Sequence, residues 1–155
     1  VFDLTGDGSN RIEILTGIGA LGIGDYEFAL DGGAYQDSPV FEDVPPGIHI
    51  VYVRDKNGCG TKSVATSVIG YPLYFTPNGN GQDDNWQVLG VNGVFQSQSL
   101  IYIFDRHGRL LAQIAPDGPG WDGNYNGTPM PADDYWFRVG LEDGRTFTGH
   151  FSLIR

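Results

Sequence analysis

Apolar residues recur at every second position along much of the chain. Ile12 and Ile14 share one face of an extended segment, as do Tyr26, Phe28 and Leu30, and this period of two is the signature of half-buried β-strands. Residues 48–53 are apolar on both faces except at His49 and run into Asp55-Lys56-Asn57-Gly58. Asn-Gly supplies the positive φ of a tight turn, so a hairpin is predicted to return over residues 61–69. Beyond Tyr71-Pro72 the texture changes, with a loop of Asn, Gly and Asp over 77–85 and strand candidates at 86–89 and 100–104. Asp105-Arg106-His107-Gly108 is predicted to turn the second of these into residues 109–114. Asp143-Gly144 is predicted to join residues 135–142 to 145–154. Apolar residues nowhere hold an i, i+3, i+4, i+7 spacing over a dozen positions, so no substantial helix is expected. The pattern predicts an all-β chain of two small sandwiches in series, with the boundary at residues 69–72.

Composition agrees with that reading and narrows the function. The 155 residues are 40% apolar and 13% aromatic, enough to build cores, and the 24 glycines and 9 prolines are spread between the apolar runs, as strands joined by tight turns require. Nine basic against 19 acidic residues give a net charge of -10, which repels phosphate backbones and anionic headgroups, so nucleic acid is not an expected partner. Lysine occurs only at positions 56 and 62, a bias without a physical account. The lone Cys59 has no internal disulfide partner and reads as a thiol flanking a turn. No apolar run approaches the ~20 residues of a membrane-spanning helix. The chain starts at Val1-Phe2-Asp3 with no charged region leading into an apolar one, so an export signal is expected upstream, in a longer protein of which this is a fragment.

Candidate chemistry is sparse. Asn78, Asn80, Gln82 and Asp84 stand at alternate positions of a Gly-rich loop, a spacing that can wrap oxygen ligands around Ca²⁺; the alternative is a loop capped by its own Asx turns. Only Asp84 is charged among the four. Calcium is therefore a possible ligand, and no other cofactor is expected. Trp86, Trp121 and Trp136 could stack on sugars or lie buried, and Trp136, between Tyr135 and Phe137, must alternate faces with them. His49, His107 and His150 fall on separate strands or turns, each expected at the surface, and none accompanies a nucleophile motif. Asp83-Asp84 and Asp133-Asp134 are adjacent pairs, which does not show two carboxyls facing across a cleft. The chain is not expected to be an enzyme.

Five blocks in order carry a family resemblance. Residues 74–86 contain Phe75-Thr76-Pro77-Asn78-Gly79-Asn80-Gly81-Gln82-Asp83-Asp84. Then come Ile103-Phe104-Asp105-Arg106-His107-Gly108-Arg109, Trp121-Asp122-Gly123-Asn124-Tyr125-Asn126-Gly127, and Pro129-Met130-Pro131-Ala132-Asp133-Asp134-Tyr135-Trp136-Phe137. Leu141-Glu142-Asp143-Gly144-Arg145 follows, and the sequence closes on residues 149–155. Residues 72–155 thus resemble the gliding-motility-associated C-terminal sorting domains of type IX secretion, and the wording at 133–145 looks like the type B subset found on large surface adhesins. Asn80 stands where that family's loop has aspartate, which weakens a hard-cation site. Residues 25–60, through Asp25-Tyr26-Glu27-Phe28-Ala29-Leu30-Asp31-Gly32-Gly33 and Val53-Arg54-Asp55-Lys56-Asn57-Gly58-Cys59, are similar to the immunoglobulin-like repeats of such adhesins.

The resemblance implies two small immunoglobulin-like β-sandwich domains, an adhesin repeat over 1–70 and a sorting domain over 71–155. It implies export through the periplasm to the cell surface or medium, with the type IX translocon and an SprF-like outer-membrane protein as partners. Residues expected in recognition are Asp105, Arg106, Gly108, Trp121, Asp122, Gly123, Asp143, Gly144, Phe151 and Arg155. The last strand, over 146–153, is expected either to offer a sheet edge to a partner or simply to complete the sandwich.

Overall fold

A computed structural model describes residues 1, 3–4, 9–16, 24–58 and 60–155; the Cys59 thiol lies outside the described residues. The described residues form strands, turns and loops with no helix. They divide into two compact units, Val1–Gly70 and Tyr71–Arg155.

In the first unit β1 (Ile12–Glu13), β2 (Tyr26–Leu30), β3 (Val40–Phe41), β4 (Gly47–Asp55) and β5 (Thr61–Val68) make two sheets, β1-β3 and β2-β4-β5. All pairs are antiparallel. Ile12, Val44, Val51 and Val68 form the core, with Ile14, Leu30, Phe41 and Val53 packed against it. The β4–β5 connection takes positive φ at Gly58 (81°) and Gly60 (120°), with Gly58 N–H donating to Asp55 O and Asn57 N–H capping on the Asp55 carboxylate. His49 is buried, contrary to the surface position expected of it. Its Nδ1 lies 2.6 Å from Asp31 Oδ2 and its Nε2 2.7 Å from Pro45 O. Two acceptors flank the ring, and this pairing lets a polar ring sit in an otherwise apolar strand at little cost.

The second unit contains β6 (Tyr74–Phe75), β7 (Leu100–Phe104), β8 (Leu110–Ile114), β9 (Asn124–Tyr125), β10 (Thr128–Pro129), β11 (Asp133–Gly140) and β12 (Thr146–Leu153). Five of them make one sheet in the order β6-β12-β11-β7-β8, and β9 pairs with β10 as a small hairpin. The pairing is antiparallel except between β6 and β12, where Tyr74 stands beside Ser152 and Phe75 beside Leu153. β12 is therefore not an edge strand: β11 covers one side along its length and β6 the other at its end. Residues 86–89 form no strand, and Trp86 instead makes an isolated bridge to Trp121.

Alternation along β11 buries Tyr135, Phe137 and Val139 and exposes Asp134, Trp136 and Arg138. The inner face is an aromatic cluster centred on Phe151, which is fully buried. Trp86 stacks on Phe151 at 4.2 Å and 14°, and Phe75, Trp121, Tyr135 and Phe137 surround it at 5.8 to 6.3 Å. Offset and edge contacts of this kind add ~0.5–1.5 kcal/mol per pair beyond area burial.

Candidate functional site

The topology gathers four of the five sequence blocks at one end of the sheet. Strands β6 and β12 end there, β11 begins there, and the β7–β8 turn lies there. The loop over 77–84, the turn Asp105–Gly108, the segment 121–131 and Arg155 meet at this pole. Asp143 and Gly144 lie at the opposite end, in the β11–β12 turn, where Glu142 Oε1 accepts from Gln98 N–H at 2.7 Å.

Each loop of the pole is held by its own polar groups. Asp84 accepts the backbone N–H of Asn78, Gly79 and Gly81 at 2.9, 2.7 and 2.7 Å. Asn78 Oδ1 accepts from Asn80 N–H and Asn80 Oδ1 from Gln82 N–H. The structure thus brings the four candidate calcium ligands into one loop, but turns the side-chain oxygens of Asn78, Asn80 and Asp84 toward backbone donors, the geometry of self-capping Asx turns. The donors, that of Gly81 first, hold the Asp84 carboxyl below the usual carboxylate range.

Asp105 repeats the device. Its Oδ1 accepts from His107 and Arg109 N–H, both at 2.9 Å, and its Oδ2 lies 3.0 Å from Arg109 Nε. The Arg109 N–H bond is the main cause that keeps this carboxyl low. Gly108 (φ 80°) closes the three-residue loop, as Gly144 (φ 87°) does in the β11–β12 turn. Arg106 reaches across to Asp133 Oδ1 at 3.0 Å, tying the β7–β8 turn to the start of β11. Asp122, lowered chiefly by Asn124, caps the Asn124 N–H at 3.0 Å.

Arg155 joins these parts. Its Nε donates to Met130 O at 2.9 Å and its Nη2 to Gly123 O at 3.3 Å, while Nη1 lies 3.5 Å from Pro77 O. One guanidinium therefore spans three separate motif blocks, which suits its planar fork of donors. Of the residues expected in recognition, Asp105, Arg106, Gly108, Asp122, Gly123 and Arg155 share this pole. Trp121 and Phe151 do not present their rings to it: both are buried in the core, where they support it. Sequence reasoning missed Asp133 as the partner of Arg106, and Gly120, whose missing Cβ leaves room for the Trp86 carbonyl. The D-x-x-G spelling of 105–108 signalled the first turn; nothing local signals a contact with residue 86.

A model of the CHU_C type IX secretion signal domain matches residues 69–153. No curated protein matches the chain. Among solved structures, PorZ, an essential bacterial surface component of the type-IX secretion system of Porphyromonas gingivalis, aligns with TM-score 0.45 and 18% identity over 68% of this chain and 15% of its own. Dimeric latent PorU from Porphyromonas gingivalis aligns with TM-score 0.33 and 16% identity over 90% of this chain and 17% of its own. The BSP domain of a biofilm associated protein aligns with TM-score 0.34 and 15% identity over 83% and 24%. The chain spans less than a quarter of the length of each of these structures.

Proposed function

The chain belongs to the CHU_C type IX secretion signal domain family, and from that premise we propose that residues 71–155 form the folded signal that directs a larger protein across the outer membrane through the type IX translocon. The observation that carries this reading is the family match over 69–153, which falls almost wholly within the second compact unit. The clustering of four motif blocks at one pole supports a reading in which that pole is the recognised surface, since loops on a rigid sheet are where recognition residues are placed. Its chemistry is binding rather than catalysis. The finer expectations belong to the same proposal: passage through the periplasm, a type B relationship to an SprF-like outer-membrane partner, and an immunoglobulin-like adhesin repeat over 1–70.

The test fuses residues 71–155, and separately 1–155, behind a signal peptide and a fluorescent passenger in a host with a type IX translocon. Surface or medium fluorescence that disappears in a translocon mutant is the expected result. Retention of both stable fusions in the periplasm, with a cognate membrane partner supplied, would overturn the proposal. Export by only the longer fusion would make the first unit part of the signal.

A further inference from the structure

The outer face of the second unit's sheet carries large apolar side chains among its polar ones, where a solvent face normally is polar. Register aligns Leu110, Phe104, Trp136 and His150 in one row across β8, β7, β11 and β12, and Tyr102, Arg138 and Thr148 in the next. Trp136 is 42% exposed, its ring 6.3 Å from that of His150. A shallow cavity of about 330 Å³ lies against this row, bordered by Phe104, Trp136, Phe137, Arg138 and Thr148 and by Asp105, Arg106 and Gly108 of the β7–β8 turn, at the small end of the range for ligand sites.

Size and charge choose the occupant. Four strands ~4.8 Å apart, read along the five residues of β7 at ~3.4 Å each, make a face of about 300 Å². A stable protein interface buries about 800 Å² on each partner, so this face is small for one and suits a few sugar rings. The C–H face of a pyranose packs on an exposed indole, and the neighbouring hydroxyls find Thr148, His150 and the guanidiniums. The nearby carboxylates are already engaged: Asp105 with Arg109, Asp133 with Arg106, and Asp134 with the Ser152 hydroxyl at 2.6 Å. Arg138 lies over the Tyr102 ring at 5.5 Å and has no ion-pair partner among the described residues. Among the residues that line the cavity, Arg106 and Arg138 stand against Asp105 alone, and the Arg138 fork can match a carboxylate in two parallel hydrogen bonds.

We propose that the outer face of β7, β11 and β12 is a binding site for an acidic saccharide, with Trp136 as the stacking platform and Arg138 as the carboxylate partner. The site adjoins the pole assigned to export and shares Asp105, Arg106 and Gly108 with it.

Calorimetric titration of the 155-residue chain compares tetragalacturonate with neutral cellotetraose. The acidic probe should bind about tenfold more tightly, the scale of one charge-assisted contact. Trp136→Ala should lose about tenfold in affinity for both probes. Arg138→Gln should reduce tetragalacturonate to the neutral level. In the unaltered protein, the Trp136 indole resonance should shift saturably with added probe while those of Trp86 and Trp121 stay fixed, a readout that needs no variant to fold. Absence of binding by either probe, or binding that leaves the Trp136 resonance unmoved, would overturn the proposal. Loss of passenger export in folded Trp136→Ala, with no saccharide bound by the unaltered chain, would assign the face to a protein partner and also overturn it.

Discussion

Trp86 and Trp121 exchange both backbone hydrogen bonds, N–H to carbonyl, at 2.9 and 2.8 Å. This closure fixes two indoles on Phe151, and it depends on Gly120. A Cβ at residue 120 would stand 2.3 Å from Trp86 O, at φ 94°. Gly120→Ala should therefore destabilise the second unit by about 2–4 kcal/mol, lowering Tm by about 10 °C or more. Gly127, at φ 77° with open space around it, is the control, and its Ala variant should cost about 1 kcal/mol. Equal melting of the two variants would show that the bridge does not hold the core.

Arg155 should matter through its fork. Arg155→Ala removes its hydrogen bonds to the Met130 and Gly123 carbonyls, at about 1 kcal/mol in this exposed setting, or ~4–8 °C in Tm. Arg155→Lys should restore only part, because an ammonium cannot span carbonyls from separate loops. A thermal melt reads this directly; full recovery by lysine would reduce the role of Arg155 to its charge.

Acid should weaken the unit in a defined window. The carboxyls of Asp84, Asp105, Asp122 and Asp143 all lie below their ordinary value in the fold. A carboxyl lowered by folding stabilises fully above its unfolded pKa of about 3.9 and loses that contribution as pH falls through the lower folded value. Tm should hold from neutrality to about pH 5 and fall below about pH 4. The Tm gap between the unaltered protein and Asp84→Asn should be widest near neutrality and narrow in acid; a gap independent of pH would contradict this account.

Calcium should find little purchase in the 77–84 loop, because backbone N–H groups already occupy the Asp84 carboxylate. Chelator-stripped protein titrated with Ca²⁺ to millimolar concentrations should give neither binding heat nor a rise in Tm. A saturating heat that Asp84→Asn abolishes would establish a cation site.

Phe151→Ala should cost about 3–5 kcal/mol, the range for emptying a buried aromatic site, since its ring packs on Phe75, Trp86, Trp121, Tyr135 and Phe137. Chemical denaturation measures this. A cost below about 1 kcal/mol would mean that the cluster repacks around the gap.

Local patterns read well and long-range ones did not. The long strands and the Asp105–Gly108 and Asp143-Gly144 turns were legible because alternation and turn chemistry are written within a few residues. The two-residue strands Tyr74–Phe75 and Asn124–Tyr125 have no period to detect. Trp86 looked like a strand residue because aromatic and β-branched neighbours favour strands, yet its backbone pairs as an isolated bridge to a distant loop. His49 was misplaced because its acceptors, Asp31 and Pro45, come from outside its own strand. The pole's motif residues were legible as words, whereas their convergence on Arg155 required the parallel pairing of β6 with β12.

That pairing also sets an order of events during synthesis. β6, among the first parts of the second unit to leave the ribosome, has no strand partner until β12 arrives, and the aromatic cluster has no centre until Phe151 does. A nascent chain cut short before residue 151 lacks both the partner of β6 and the centre of the aromatic cluster. The fold makes synthesis through Leu153 a condition for assembling the second unit.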